Sequence, residues 1–363
     1  MRFASIDILR TIAIVVMVLV HFGENLGGYT PVFAGFGAPL FVFLSGTSYF
    51  LWSDARLSRG ADETEISKIS VRRGLFVLGA GFAFNLFVWL PEEIFIWDVL
   101  TFIGVALLIL NVVRRMPRSV CILAAVMSML VAPFLRDMAD FAAYWENGYF
   151  EYDPTLSDVL IGFLATGYFP LFPWIGLTLT GYATASWLFA RPEPDGGSIA
   201  SPWRTVALGG GLVAIAVALW MAEPWLPETL SSIVLGGWRM FPATTTYVLA
   251  ATGMAMGLLS LGHRYVDLAP RSPRLEGPLR MAKTFSRYSL TIYVLHHLVH
   301  LWPLWIYGLL TTGDPTALWG AALPVGTSLA LGVAFLIGCG AVLRWLGPER
   351  TYGLEAVMRW ICD

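Results

Sequence analysis

Apolar residues in this chain run in long blocks instead of alternating with polar ones. The blocks fall near 5–25, 33–52, 74–91, 94–113, 119–135, 166–189, 205–222, 242–262, 287–310 and 319–345. At 1.5 Å of rise per residue, about 17–25 apolar residues cross a ~30 Å hydrocarbon layer, so each block predicts a membrane-spanning helix. The expected fold is an all-α integral membrane protein of about ten transmembrane helices, read as a single domain over 1–363. Lys and Arg set the orientation. Arg2, Arg56, Arg59, Lys68, Arg72, Arg73, Arg114, Arg115, Arg280, Lys283, Arg287 and Arg344 share one side with the other basic residues, whereas the opposite loops hold only Arg136 and Arg239. The basic side is expected to be cytoplasmic, with both the N and C termini on it.

Composition agrees with lipid as the solvent. Hydrophobic residues make up 57% of the chain and charged residues 13%, about half the charge of a soluble domain, and the mean hydropathy is +0.68. The net charge of −2 comes with no basic stripe, so no nucleic-acid partner is expected. Cys121, Cys339 and Cys362 are scattered, which implies neither a disulfide framework nor a metal knot. The first block carries Asp7 and Arg10 and lacks a small-residue cleavage site, so it reads as a retained helix. The loop around 136–165 is acidic and aromatic, with Asp137, Asp140, Trp145, Tyr149 and Glu151. It suits either a solvated loop or a lid offering aromatic stacking and carboxylates to a sugar.

Ionisable groups are expensive inside a bilayer and are functional candidates by default. Asp7 and Arg10 are spaced i,i+3, which allows an ion pair on one helix face. His21 follows eleven residues later, ~16 Å farther along the axis. In the ninth block His296 and His300 share a face, and His297 is expected to point away. Histidines four apart can ligate a metal or haem. No carboxylate or cysteine accompanies them in sequence, so no metal is expected, and one histidine is read as a proton carrier or hydrogen-bond donor. Ser45, Thr47 and Ser48 fall in a small-residue run that lets helices approach closely. Asn85, Asp98 and Tyr293 are further polar positions. The run from Phe169 to Trp174 contains two prolines and suits either a first helical turn or an unwound segment.

Arg2-Phe-Ala-Ser-Ile-Asp-Ile-Leu-Arg, an apolar run and Val20-His-Phe-Gly open the chain. Pro39-Leu-Phe-Val-Phe-Leu-Ser-Gly-Thr-Ser, Arg72-Arg-Gly-Leu, Gly167-Tyr-Phe-Pro-Leu-Phe-Pro-Trp-Ile-Gly, Ser289-Leu-Thr-Ile-Tyr-Val-Leu-His and Gly347-Pro-Glu follow in order. In this order and spacing the motifs resemble the bacterial members of the heparan-α-glucosaminide N-acetyltransferase catalytic-domain family, over most of the chain. The resemblance implies transfer of an acetyl group from cytoplasmic acetyl-CoA to an acceptor beyond the membrane. It also implies a bacterial cytoplasmic (inner) membrane and a homodimer. The wider superfamily includes the acyltransferase 3 group, which O-acylates surface glycans and also begins with an Arg and a His on its first span, matching Arg10 and His21. The heparan enzyme is thought to use a histidine in the loop after that span, but residues 22–38 contain none, which moves the chemistry onto His21.

In the resulting scheme Arg10, Arg72, Arg73 and Arg287 hold the acyl-CoA phosphates, since arginine binds oxyanions bidentately, with Ser45 as a further donor-site residue. His21 acts as general base or transient acyl carrier. Asp7 orients Arg10, and His296 donates to the thioester oxygen or leaving thiolate. Asp98, Tyr168, Trp174 and Tyr293 are the acceptor-site candidates, for a glycan or other extracytoplasmic amine or hydroxyl. The competing class is a multi-pass transporter or flippase of a polar solute or lipid-linked sugar, for which internally repeated halves would be expected; none stands out in the sequence.

Overall fold

The computed structural model describes residues 2–89, 94–143, 145, 155–189, 201–270, 273–347 and 352–363. Residues 144 and 146–154 of the outer loop, Tyr149 and Glu151 among them, lie outside the described residues, as do Pro348 and Glu349 of the tail motif. Every ordered element among the described residues is helical, and each of the ten apolar blocks falls on a helix. Seven helices are long and apolar enough to cross a membrane, or eight when Leu156–Thr166 and Leu171–Leu188, bent by 45°, count as one span. The other two blocks fall on Val99–Val113, which is apolar but has only 15 residues, and on Ser289–Thr312, where three histidines interrupt the apolar run.

The outermost face of these helices identifies their solvent. In Val325–Leu346 the buried residues are Ser328, Gly332 and Gly340, whereas Leu331, Val333 and Ile337 are 43–68% exposed. A water-soluble helix would bury the large apolar residues instead. Here they face lipid, and the small ones let the helices meet. The protein is an all-α membrane protein.

One compact unit spans chiefly Pro39–Leu268. Within it Glu63–Val88 packs on Val99–Val113, Arg118–Met138 on Leu171–Leu188, and Pro202–Ala222 on Thr245–Gly262. The small-residue run at 45–48 does what its composition predicts. A Cβ on Gly46 would collide with the Thr178 carbonyl, and one on Gly181 with the Phe43 carbonyl. Thr47 Oγ1 also donates to the Gly181 carbonyl at 3.1 Å. The proline-rich run resolves into a break: residues 167–170 are non-helical, and the Tyr168 and Phe169 amides donate to the carbonyls of Ile96 and Trp97. Backbone groups freed by the break are thereby satisfied inside the protein, as a membrane interior requires.

The second unit comprises Phe3–Ala38 and Ala269–Ile361. The N-terminal helix, Ala4–Gly27, packs against Glu276–Arg287, Ser289–Thr312 and Val325–Leu346. Two ties fix the Ser289–Thr312 helix. At its start the Glu355 carboxylate accepts from the Leu290 amide at 2.8 Å, the Thr291 amide at 3.1 Å and the Thr291 hydroxyl. A carboxylate there satisfies orphan amides and complements the positive end of the helix dipole. Beyond its far end, the Gly320 and Leu323 amides donate to the carbonyls of Asn25 and Leu26, each at 2.8 Å. Glu355→Ala is therefore expected to cost about 1.5–3 kcal/mol, the range for hydrogen bonds to a charged group. A lowered thermal unfolding midpoint in detergent would show this; an unchanged midpoint would mean that Glu355 does not hold the helix.

Candidate functional site

The site begins with two helical repeats of four. His21 and Asn25 lie one turn apart on the N-terminal helix, and His296 and His300 lie one turn apart on Ser289–Thr312. Residues at i and i+4 share a face, so packing the two helices pairs them turn by turn. His21 Nδ1 lies 2.8 Å from His296 Nε2, and Asn25 Nδ2 lies 2.9 Å from His300 Nε2. His297 joins them: its ring centroid is 4.4 Å from His21 and 3.9 Å from His296. The expectation that His297 points away is thus corrected. Successive positions on a helix differ by about 100°, and side chains lean back along the axis toward the N-terminus, so a long ring next to His296 still reaches the same facing helix. Tyr293 completes the cluster, with its ring centroid 5.7 Å from that of His296 and 5.4 Å from that of His297.

The hydrogen bonds order the protons. His296 Nδ1 faces the Ile292 carbonyl at 3.2 Å, His297 Nδ1 faces the Tyr293 carbonyl at 3.3 Å, and His300 Nδ1 faces the His296 carbonyl. A carbonyl only accepts, so all three δ nitrogens donate. With one proton per ring, the ε nitrogens of His296 and His300 are acceptors, and Asn25 donates its amide N–H to His300. His21 must then donate from Nδ1 to His296, which leaves the lone pair of His21 Nε2 available. His296 and His297 are fully buried and His300 is 4% exposed, whereas His21 is only partly buried. His297 Nε2 carries a lone pair by the same logic, but that ring is fully buried, so His21 is the more exposed of the two.

The His21, His296 and His297 ring nitrogens lie within 4.8 Å of one another, close enough to hold a metal ion. For His296 and His297 the other ring nitrogen is already tied to a carbonyl, as in ligating histidines. No carboxylate or cysteine joins this group among the described residues.

The remaining predicted site residues separate into two sets. In the second unit, Arg10 Nη1 donates to Ser286 Oγ at 3.2 Å, which brings Arg10 to the end of the Glu276–Arg287 helix. Arg287 sits over the Tyr288 ring at 5.7 Å. Asp7 is buried near Arg10 on the same helix and, fourteen residues before His21, lies ~21 Å from it along the axis. Asp7 therefore belongs with Arg10 and not with the histidines.

In the first unit, Arg72 is exposed and Arg73 covers the Trp52 ring at 4.8 Å. Ser45 Oγ donates to the Val42 carbonyl at 2.6 Å. Asp98 is the N-cap residue of Val99–Val113 and is nearly buried. Tyr168 is 37% exposed and makes an edge contact with Phe241. Trp174 is completely buried, so it shapes the interior and offers no surface to an acceptor. Asn25 is the partner that a residue-type search overlooks, although its i+4 spacing from His21 was available in the sequence.

A histidine relay across two helices, with a basic anchor one end away, defines a membrane-embedded site for polar chemistry. The chain matches the heparan-alpha-glucosaminide N-acetyltransferase catalytic family over residues 2–210, more than half its length, and it belongs to that family. Membership supports a transmembrane acetyltransferase. The matched residues include Asp7, Arg10, His21, Arg72 and Arg73 and end before the His296 helix. No curated protein matches the chain.

Proposed function

We propose that this protein transfers an acetyl group from cytoplasmic acetyl-CoA to an extracytoplasmic amine or hydroxyl, such as that of a glycan, with His21 as the base or transient acyl carrier. The observation that carries this reading is the His21–His296 hydrogen bond, which holds His21 in the tautomer with an available Nε2. The acceptor N–H or O–H gives its proton to His21 Nε2 as its heteroatom attacks the thioester carbon. The carbon–sulfur bond breaks, the new acyl bond forms, and the thiolate leaves as CoA thiol with the proton from His21. In the covalent variant, Nε2 attacks the thioester carbon and expels CoA thiolate; the acceptor then displaces the imidazole, and its proton passes to the thiolate. The three-histidine group supports a second reading, a metal centre, which elemental analysis of the purified protein separates from the first.

Arg10 stands at the donor end of this scheme. Its guanidinium, hydrogen-bonded to Ser286, the residue before Arg287, suits the phosphates of the nucleotide. The eleven residues between Arg10 and His21 span ~16 Å, a distance that an extended pantetheine arm covers. On this topology the basic ends of the helices face the cytoplasm of a bacterial cell and His21 lies toward the outer leaflet.

Calorimetric titration with acetyl-CoA tests the donor. Wild-type protein is expected to bind it, and Arg10→Gln to bind it about tenfold or more weakly, the equivalent of one charge-assisted hydrogen bond. Equal dissociation constants would remove Arg10 from the donor site. No binding to the wild type would favour the transporter class instead.

A further inference from the structure

The basic residues set apart from all others in the sequence, Arg136 and Arg239, converge on one cavity. Arg136 lies in the last turn of Arg118–Met138 and is 8% exposed; its Nη1 donates to the Ala243 carbonyl at 2.6 Å. Arg239 lies in the turn after the Thr229–Leu235 helix, exposed, with Nε donating to the Gly236 carbonyl at 3.1 Å. Both line a cavity of about 360 Å³ together with Asp137, Asp140, Ser232 and Thr244. Its volume falls in the range of small-ligand sites.

Asp137 and Asp140 line the same cavity, but neither guanidinium forms an ion pair among the described residues, and the like charges of Arg136 and Arg239 oppose each other. A guanidinium buried without a counter-charge is costly, and placing a second one beside it raises that cost. An oxyanion between them would relieve both, and arginine's planar fork suits a carboxylate, sulfate or phosphate. The exposed carboxylates of Asp137 and Asp140 and the Ser232 hydroxyl add acceptors suited to hydroxyl groups.

We infer that Arg136 and Arg239 form a binding site for an oxyanion on a hydroxylated molecule, either an acidic sugar or a glycerol-phosphate lipid headgroup. This site is distinct from the histidine cluster and does not depend on acyl transfer.

Titration of the full-length protein in neutral phosphatidylcholine nanodiscs tests it, with glucuronate as probe and glucose as the uncharged control. Glucuronate should bind and glucose should not. Arg239→Gln, at the exposed mouth and therefore tolerable to the fold, should weaken glucuronate at least tenfold. Arg136→Lys, which keeps the charge but loses the fork, should weaken it as well. Loss of glucuronate binding in nanodiscs rich in phosphatidylglycerol would identify the lipid headgroup as the occupant. Binding retained there would identify a soluble acid. No glucuronate binding in phosphatidylcholine, equal binding of glucose, or Arg239→Gln binding as wild type would overturn the site. Acetyl-CoA binding by Arg239→Gln should equal that of the wild type, which separates failure of this site from failure of the acyltransferase reading.

Discussion

Replacing His21 with alanine is expected to lower the acyl-transfer rate by about 10²–10⁴-fold, the usual contribution of a positioned general base. The loss should fall on kcat, with acetyl-CoA affinity unchanged, because Arg10 lies ~16 Å along the helix from the truncated ring. The fold should survive: His21 is only partly buried, and the helix retains its contacts with Ser289–Thr312 and Val325–Leu346. Turnover, donor binding and unfolding temperature measured on one preparation separate the cases. Wild-type turnover in His21→Ala would remove the residue from the chemistry, and loss of all three properties together would make its role structural.

The second large effect is expected at His296. This ring is a positioning residue: Nδ1 is tied to the Ile292 carbonyl and Nε2 faces His21 at 2.8 Å. His296→Ala removes the acceptor that keeps the His21 proton on Nδ1. Fixing a histidine tautomer through its neighbour is worth up to about 10⁴ in kcat in catalytic triads, and a loss of 10²-fold or more is expected here. His296→Gln provides the control, since its side-chain carbonyl oxygen can accept from His21 Nδ1. Partial rescue of kcat by glutamine, with little change in KM for either variant, supports the relay. Equal loss in both variants would point to packing instead.

How much of this was legible in the sequence depends on how local each feature is. Helix positions were legible because lipid requires long apolar runs, and all ten runs fall on helices. The 45° break before Leu171–Leu188 was only half legible: the prolines marked the place, but whether the backbone unwound depended on the Ile96 and Trp97 carbonyls. Within the histidine cluster, His21 and His296 could be chosen as titratable groups in apolar runs, and Asn25 could have been found by its i+4 spacing. The direction of His297 could not, because spacing on one helix does not tell which neighbouring helix a ring reaches. Sidedness singled out Arg136 and Arg239 as a pair. Their meeting at one cavity required the Thr229–Leu235 helix and the turn after it, which no apolar periodicity encodes.

Trp174 shows the opposite error. It is the right residue type in the right kind of segment, yet complete burial keeps it from an acceptor. Residue type proposes candidates, and only placement removes them.

Donor recognition near Arg10 and transfer at His21, on one helix, can be followed in sealed proteoliposomes, with labelled acetyl-CoA on one side and a panel of amino sugars and sugar alcohols on the other. Labelled acceptor is expected in the compartment opposite the donor with wild-type protein, with a loss of about 10²-fold or more in His21→Ala. Label transferred only when donor and acceptor share a compartment, or transferred equally by His21→Ala, would contradict this expectation.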